Sequence, residues 1–277
     1  LGFGYYVGGR QIWARRYDPA GQPQGPSFPV EASVTASNPR PDLSVAADGR
    51  FVIVWSRSAP EGWQVRGQRF DADGGRLGQE FVANSVTGNT QTDPALAVDA
   101  AGNRVVAWTR AFGSSFPPAD GARVFARRFD ADGVPAGGEF RVNSYMAGHQ
   151  MMPSVAFQDG GGFVIAWTGT QQDGSAEGVF AQRYSAAGAP LGGEFPVNRY
   201  TTGIQAFPCA GATGNGGFVI GWISSNARDD TGPGVFARRF DGEGRPLGRE
   251  FRVGKALRFS QGACSLAREG GGGFASA

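Results

Sequence analysis

Two acidic pairs in the chain have the residue types that hold a hard cation. Each pair lies in the pentapeptide FDADG, which occurs twice: Asp71 and Asp73 in the first copy, Asp130 and Asp132 in the second. An EF-hand needs a bidentate Glu at the twelfth loop position, where Val82 and Arg141 stand instead. Asp and Gly also favour tight turns without a metal. A structural turn is therefore the favoured interpretation, and a calcium site at these acids is the alternative.

Amide side chains recur along the chain with a fixed spacing. In each pair an Asn is followed seven residues later by a Gln: Asn84 and Gln91, Asn143 and Gln150, Asn198 and Gln205, with Gln261 continuing the Gln series. An amide both donates and accepts hydrogen bonds, which suits sugar hydroxyls and equally suits the backbone of its own loop. Two roles stay open, namely repeated ligand contacts and capping of the loops.

Exposed aromatic residues are the next candidates for ligand contact. The loop at 109–122 is the longest and most apolar of the variable connections and carries Phe112 and Phe116. Variable loops on a rigid scaffold commonly determine specificity. Trp63 falls in a shorter connection and is predicted to be exposed. These three residues join the candidate ligand-binding set, with a self-packed loop as the alternative at 109–122.

Groups with catalytic chemistry are sparse. His149 is the only histidine, which excludes a cluster of histidine metal ligands. Glycosidases need two carboxylates that flank the scissile bond. Asp42, Asp93 and Asp99 fall in or beside predicted strands, yet no known catalytic motif surrounds them. The sequence therefore predicts that the chain is not an enzyme, and a hydrolase that uses such carboxylates is the least favoured alternative.

The two cysteines lie close to one repeat apart. Cys209 and Cys264 are separated by 55 residues, so they occupy nearly equivalent places in neighbouring units. A disulfide between them is the favoured prediction, and it agrees with an oxidising compartment. Two small buried residues with free thiols are the alternative.

These candidates belong to a repeat that fills the chain. An arginine precedes each pentapeptide or its near-copy with separations of 53, 59, 55 and 56 residues: Arg16, Arg69, Arg128, Arg183 and Arg239. The unit at 153–197 contains the apolar runs PSVAFQ, GFVIAWT, GVFAQRY and EFPV, separated by Gly-rich turns. Four short strands repeated at this period predict a β-propeller. The Trp that ends each second strand is predicted to pack between blades.

The predicted fold is all-β: a five-bladed β-propeller of four-stranded blades in a single domain, 1–277. The blades are 42–83, 94–142, 153–197, 208–253, and a fifth that joins 263–277 with 11–30. Sharing this blade between the N- and C-termini closes the ring and hides the terminal edges. We expect the natural chain to continue, because it stops one residue before the expected Trp. Within a blade, Arg69 and Glu80 are predicted to pair across the outer hairpin.

Composition limits the classes of partner. The chain has 277 residues, 46 of them Gly and 21 Phe, a bias typical of short strands and frequent turns. Its formal net charge is +2, and the arginines are spread through the repeats. Neither a nucleic-acid partner nor membrane insertion is therefore expected. No cofactor is expected apart from the alternative calcium.

The repeat resembles a known group of proteins. The patterns G-x-E-F-x-V-N, T-x-G-x-Q-x-x-P-x-V-A, G-G-F-V-I-A-W and V-F-A-Q-R-F-D-A-x-G look like the tandem repeats of secreted or surface bacterial proteins, of the FG-GAP and VCBS propeller type. The resemblance covers nearly all of 11–277, and it implies an adhesive or interaction module. It also implies a bacterial origin and a secreted or cell-surface location.

The function expected from this resemblance is a non-catalytic extracellular binding or scaffold module. Its partner would be a glycan or a protein held at one face of the disk, with several equivalent sites giving multivalent, lectin-like carbohydrate binding. A structural subunit that docks in a larger protein assembly is the alternative.

Overall fold

The computed structural model describes eight segments of the chain: 2–5, 11–18, 20–31, 40–112, 121–225, 233–255, 266–268 and 274–276. All regular structure in these segments is β-strand, as the short apolar runs and frequent glycines predict. None of the described residues forms a helix with the length and apolar character needed to cross a membrane.

Four antiparallel sheets of four strands make up most of the described chain, and each is called a blade below. The first blade contains β4 (Asp42–Val45), β5 (Phe51–Ala59), β6 (Gly62–Phe70) and β7 (Arg76–Val82). The second contains β8 (Thr90–Val98), β9 (Arg104–Ala111), β10 (Ala122–Phe129) and β11 (Phe140–Arg141). The third contains β12 (Gln150–Phe157), β13 (Phe163–Thr170), β14 (Glu177–Tyr184) and β15 (Phe195–Pro196). The fourth contains β16 (Gln205–Ala212), β17 (Phe218–Ser224), β18 (Gly234–Phe240) and β19 (Phe251–Lys255).

The terminal strands differ from the predicted arrangement. A three-stranded sheet contains β1 (Gly2–Tyr5), β2 (Ile12–Arg15) and β3 (Phe28–Pro29), and a separate pair contains β20 (Leu266–Arg268) and β21 (Phe274–Ser276). β1 takes the edge of β2 that a C-terminal strand was predicted to occupy. A local hairpin closes a shorter loop than pairing of the two chain ends does, so it costs less entropy. Among the described strands, no pairing joins the two terminal sheets.

Strand pairing gives every blade two distinct ends. In the second blade Thr90 and Ala122 both pair with Ala111, so the loops between blades and the connections between second and third strands share one end, here the loop face. At the opposite end Val98 and Phe129 both pair with Arg104. The tight turns between first and second strands and after the third strands lie there, and this end is the turn face.

Apolar side chains fill the space between neighbouring blades. Between the first and second blades, for example, Val54 and Val65 join one buried cluster with Leu96 and Trp108. The tryptophans, each the fifth residue of its second strand, are at most 1% exposed: Trp55, Trp108, Trp167 and Trp222. The prediction that they pack in the core is therefore confirmed.

The FDADG turns are held by their first acid. Oδ1 of Asp71 accepts hydrogen bonds from the backbone N–H groups of Asp73 at 2.9 Å and Gly75 at 2.7 Å. Asp130 accepts the same two bonds in the second copy. In the third blade the hydroxyl of Ser185 accepts one such bond. The first acid of each turn is thus engaged by backbone donors, which favours the turn interpretation over the calcium alternative.

The third-strand arginines donate hydrogen bonds to the turns of neighbouring blades, and Arg128 also donates within its own blade, to the carbonyl of Ala136 at 2.9 Å. Arg69 donates to the carbonyl of Ala131, in the FDADG turn of the next blade, at 3.3 Å. The predicted Arg69–Glu80 pair is wrong, because Glu80 pairs instead with Arg66 at 3.1 Å. A register shift between Gly67 and Arg69 lies between the two arginines. The repeated arginine therefore stabilises the contact between blades.

Candidate active site

The first strands of the blades surround a central channel. β4, β8, β12 and β16 contact one another in order, and together they line a cavity of about 1250 Å³. Its walls begin at Asp42, Leu96, Ser154 and Cys209 and continue to the turn face. A cavity of this size accommodates a small-molecule ligand. The channel is therefore the place to look for chemistry.

Two positions of the repeat carry different chemistry in each blade. A proline starts the channel-lining part of every first strand, and the residues immediately before and after it vary. The residue before the proline is Arg40, Asp93, Met152 or Phe207 in the first to fourth blades, and the residue after it is Asp42, Ala95, Ser154 or Cys209. The charged side chains all belong to the first two blades.

The residues before the prolines have an unusual backbone conformation. Their φ angles are 33° at Arg40, 50° at Asp93, 54° at Met152 and 57° at Phe207. In the second to fourth blades each of them lies at a register shift between the first and second strands. Bulges of this kind redirect side chains, and positive φ at a residue other than glycine stores strain that is concentrated at functional sites.

Charged groups bridge the first two blades at this position. Nη1 of Arg40 lies 2.7 Å from Oδ1 of Asp93, and the other oxygen of Asp93 accepts a bond from the Thr92 hydroxyl at 3.1 Å. Asp42, two residues after Arg40, also reaches β8: its Oδ2 accepts the N–H of Leu96 at 2.7 Å. The Arg40–Asp93 ion pair and the Asp42–Leu96 hydrogen bond therefore both join the first two blades, and of these three charged residues Asp42 is the one that lines the cavity.

Burial changes the proton affinity of Asp42. Removal from water raises its pKa to about 6, although the backbone N–H groups of Leu96 and Leu43 act in the opposite direction. A carboxyl group with this pKa is mostly protonated at pH 5 and can donate a proton to a ligand. Because perturbed carboxyl groups in clefts are candidates for function, Asp42 is the main candidate in the channel.

Two further carboxylates line the cavity near the turn face. Asp99 accepts hydrogen bonds from the N–H groups of Ala101 and Asn103, so it closes the turn after β8. Asp159 is exposed and accepts the N–H of Gly216 from the next blade at 3.1 Å. These contacts give Asp99 and Asp159 structural roles in the turns.

The repeated amides are placed inside the loops. Asn84, Asn143 and Asn198 are at most 4% exposed, and each accepts the backbone N–H at the start of its third strand. Gln91, Gln150 and Gln205 are at most 1% exposed, and each donates to carbonyl oxygens of its own loop. The placement favours loop capping over ligand contact. Gln261 lies outside the described residues.

The remaining predicted site residues are dispersed. Trp63 lies in β6 rather than in a loop and is half-buried, so the prediction of an exposed loop aromatic is wrong. Phe112 is half-buried next to β9, and Phe116 lies outside the described residues. Cys209 is disulfide-bonded. The other cysteine, Cys264, is outside the described segments.

The calcium alternative gains no further ligands. Asp73 is 95% exposed in its side chain and lies 3.6 Å from Arg16, and Asp132 is also exposed. Within the described segments, no three His, Cys, Asp or Glu side chains are grouped as metal ligands. The structure therefore adds no support for calcium at Asp71, Asp73, Asp130 and Asp132.

No protein-family model matches the chain, and no curated protein matches its sequence. Solved structures do match. A protein of unknown function from Dyadobacter fermentans DSM 18053 is 12% identical with a TM-score of 0.60, over 84% of this chain and 72% of that one. The GH93 α-L-arabinofuranosidase of Fusarium graminearum, solved with arabinobiose, is 11% identical with a TM-score of 0.57, over 93% and 76%. An α-L-arabinofuranosidase from Lactobacillus brevis is 10% identical with a TM-score of 0.54, over 85% and 80%.

The fold is a β-propeller. No family model supports the predicted resemblance to the FG-GAP and VCBS repeat type, so that resemblance stays a prediction. The prediction of a non-catalytic, lectin-like module that is not an enzyme is overturned by this comparison. It rested on adhesive repeats, whereas two of the three propellers above are arabinofuranosidases.

Sequence reasoning missed Arg40 and underrated Asp42. The search for sites followed residues that recur in every repeat, and those residues proved to be structural. The available signal was the opposite one: charged residues beside a repeated proline, where other units carry Met, Phe, Ala or Cys.

Proposed function

We propose that the protein is a glycan-cleaving propeller enzyme whose active site is the channel of the first two blades. Asp42 serves as the general acid that protonates the leaving oxygen of a glycosidic bond. Asp93, oriented by Arg40, serves as the base for the attacking water. The observation that carries this proposal is the channel carboxyl group of Asp42, whose pKa is raised to about 6, on the strand next to the one that carries Asp93 and its ion pair with Arg40.

The chemistry follows from the different surroundings of the two carboxyl groups. Glycoside hydrolysis needs one carboxyl group that holds a proton and one that is ionised. Burial favours the protonated form of Asp42, whereas Asp93 forms an ion pair with Arg40 at 2.7 Å. In the proposed reaction Asp42 gives its proton to the departing sugar oxygen as the glycosidic C–O bond breaks, and Asp93 takes a proton from the water whose oxygen bonds to the anomeric carbon. No cofactor enters this reaction.

The other half of the ring supports binding of a sugar. Met152 and Phe207 occupy the positions of Arg40 and Asp93 in the third and fourth blades, and both are half-buried. Sugar rings present C–H groups on one face and hydroxyl groups at the edge. In the proposed complex these apolar side chains meet the C–H face of the sugar, and the charged groups of the first two blades meet its hydroxyl groups.

The substrate class proposed first is the α-L-arabinofuranoside, because two propellers of related fold carry that activity in their names. We further propose that the ring has five blades, with the terminal sheets forming the fifth, and that the protein is secreted or displayed at the cell surface, where plant and microbial glycans are met.

Hydrolysis of 4-nitrophenyl α-L-arabinofuranoside and of linear arabinan at pH 5 tests the proposal. We expect Asp42→Asn to lower kcat by about 10² to 10⁴-fold, as removal of a general acid does. Asp159→Asn, which removes an exposed carboxylate at the turn face of the same channel, is the matched control and should retain activity. Absence of hydrolysis by the natural sequence on arabinofuranosides and on a broad panel of aryl glycosides would contradict the proposal.

A further inference from the structure

A buried arginine replaces a core phenylalanine in the second blade. The first residue of the second strand is Phe51, Phe163 or Phe218 in the other blades and Arg104 here. Each phenylalanine stacks on the aromatic residue paired with it, with ring centroids 4.9 to 5.0 Å apart. Arg104 stands opposite Phe129 and is only 2% exposed. A charged residue thus occupies a position that the fold reserves for an aromatic ring.

The guanidinium of Arg104 is only partly satisfied. Nη2 donates to the carbonyls of Asp130 at 3.0 Å and Ala131 at 2.6 Å. Nε and Nη1 are buried and have no hydrogen-bond partner in the described part of the chain. An unpaired buried donor on a charged group is costly, so a group that accepts these bonds would stabilise the fold.

Other positive charges surround the same point. Arg50, Arg69 and Arg104 line one cavity of about 30 Å³ between the first and second blades, together with apolar side chains that include Phe51 and Phe70. Burial and the positive charges of Arg69 and Arg50 lower the pKa of Arg104 to about 10. The repulsion among the three arginines favours a negative charge between them.

The nearby carboxylates do not neutralise this cluster by direct contact. Asp48 pairs with Arg50 at 2.6 Å, outside the buried part of the cavity. Asp130 and Asp132 act on Arg104 only through longer-range attraction. In the part of the chain that the structure describes, no carboxylate lies within ion-pair distance of Arg69 or Arg104.

We propose that this cavity is a binding site for a small monovalent inorganic anion, chloride in the first instance, held by Nε and Nη1 of Arg104 with Arg69 beside it. The cavity, of about 30 Å³, has room for a single small anion beside Arg104. The site lies near the turn face, at the contact between two blades. Binding there joins the blades and is independent of the proposed glycan chemistry.

Thermal unfolding in different sodium salts at constant ionic strength tests the proposal. Replacement of sodium gluconate by sodium chloride or bromide should raise Tm saturably, by about 3 °C once the anion is well above its Kd. Gluconate, a bulky organic anion, provides the ionic-strength control. A Tm that is the same in all three salts would overturn the proposal.

The matched variant is Arg104→Phe, which restores the residue used by the other three blades. It should fold, and its Tm should not respond to halide. Arg50→Ala, at an exposed position, serves as a second variant and should weaken the halide response without abolishing it. A halide response that persists unchanged in Arg104→Phe would place the anion elsewhere. Anomalous diffraction from bromide-soaked crystals of the natural sequence should show one peak next to Arg104, and its absence there would also contradict the proposal.

Discussion

The first two blades and the third and fourth share their strands but differ at the channel. Each of these four blades has a proline in or immediately before its first strand and a buried Trp within its second. Around that proline, the first two blades present Arg40, Asp42 and Asp93, whereas the other two present Met152, Ser154, Phe207 and Cys209. Repeated residues therefore stabilise the fold, and departures from the repeat mark the positions where chemistry can occur.

The largest effect is expected at a repeated core position. Trp167→Ala removes a fully buried side chain, whose Nε1 donates to Gln150 at 2.9 Å, and should lower the free energy of unfolding by about 3–5 kcal/mol. Urea denaturation measures this change. Val134→Ala, at a 58% exposed position, is the control and should change stability by less than about 0.5 kcal/mol. Equal losses of stability in the two variants would contradict the conclusion that the repeated buried residues stabilise the fold.

Substitution of Asp42, in the channel, should change how the stability of the protein depends on pH. The folded-state pKa of Asp42 is raised from 3.8 to about 6, so its ionisation opposes folding. Below pH 4 the carboxyl group of Asp42 is protonated in both states and the free energy of unfolding has its full value. That free energy falls by up to about 3 kcal/mol as the pH rises through 6. Asp42→Asn should lack this loss when unfolding free energies are compared between pH 4 and pH 7. The same pH profile in both proteins would show that Asp42 is not buried as described.

The amides test whether repeated loop residues bind ligand or hold the loop. Asn143→Ala removes the bonds to the N–H of Val124 at 2.9 Å and the carbonyl of Tyr145 at 2.7 Å. It should cost about 1–3 kcal/mol of stability in urea denaturation. The KM for an arabinofuranoside should stay within twofold, because the amide is 1% exposed. A large rise in KM with unchanged stability would restore the ligand interpretation.

The smallest effect is expected at the repeated turns. Asp71→Ala removes the two bonds from the N–H groups of Asp73 and Gly75 and should lower stability by about 0.5–1.5 kcal/mol. The third blade already uses Ser185 at this position, so the turn tolerates the change. Thermal unfolding with calcium or with a chelator should give the same Tm in the natural sequence. A calcium-dependent Tm that Asp71→Ala abolishes would favour the metal interpretation.

The sequence predicted the blades because their signals are local. Alternating apolar residues, Gly-rich turns and the repeat period of Arg69, Arg128 and Arg183 mark the four-stranded units that the structure contains. The partner of an arginine could not be predicted in this way. Arg69 donates to the turn of the next blade, and which blade faces lie together depends on the packing of the whole ring.

The candidate site was less predictable for a related reason. Asp42 became a candidate only when its contact with Leu96 placed it against the neighbouring first strand, in a cavity that no single repeat forms. The pair Arg40–Asp93 joins residues 53 positions apart, at a bulge that the sequence does not mark. The position of β1 was also missed, because the predicted fifth blade began at residue 11 and took its inner strands from the C-terminal end.

The most direct test of this account is the pKa of Asp42 itself, measured by the carboxyl carbon chemical shift in an NMR titration, with Asp42→Asn used to assign the signal. The account predicts a value of about 6, well above the ordinary range for Asp. A value near 3.9 would show that the channel of the first two blades leaves Asp42 solvated. That result would contradict the proposed general acid and the catalytic role assigned to the channel.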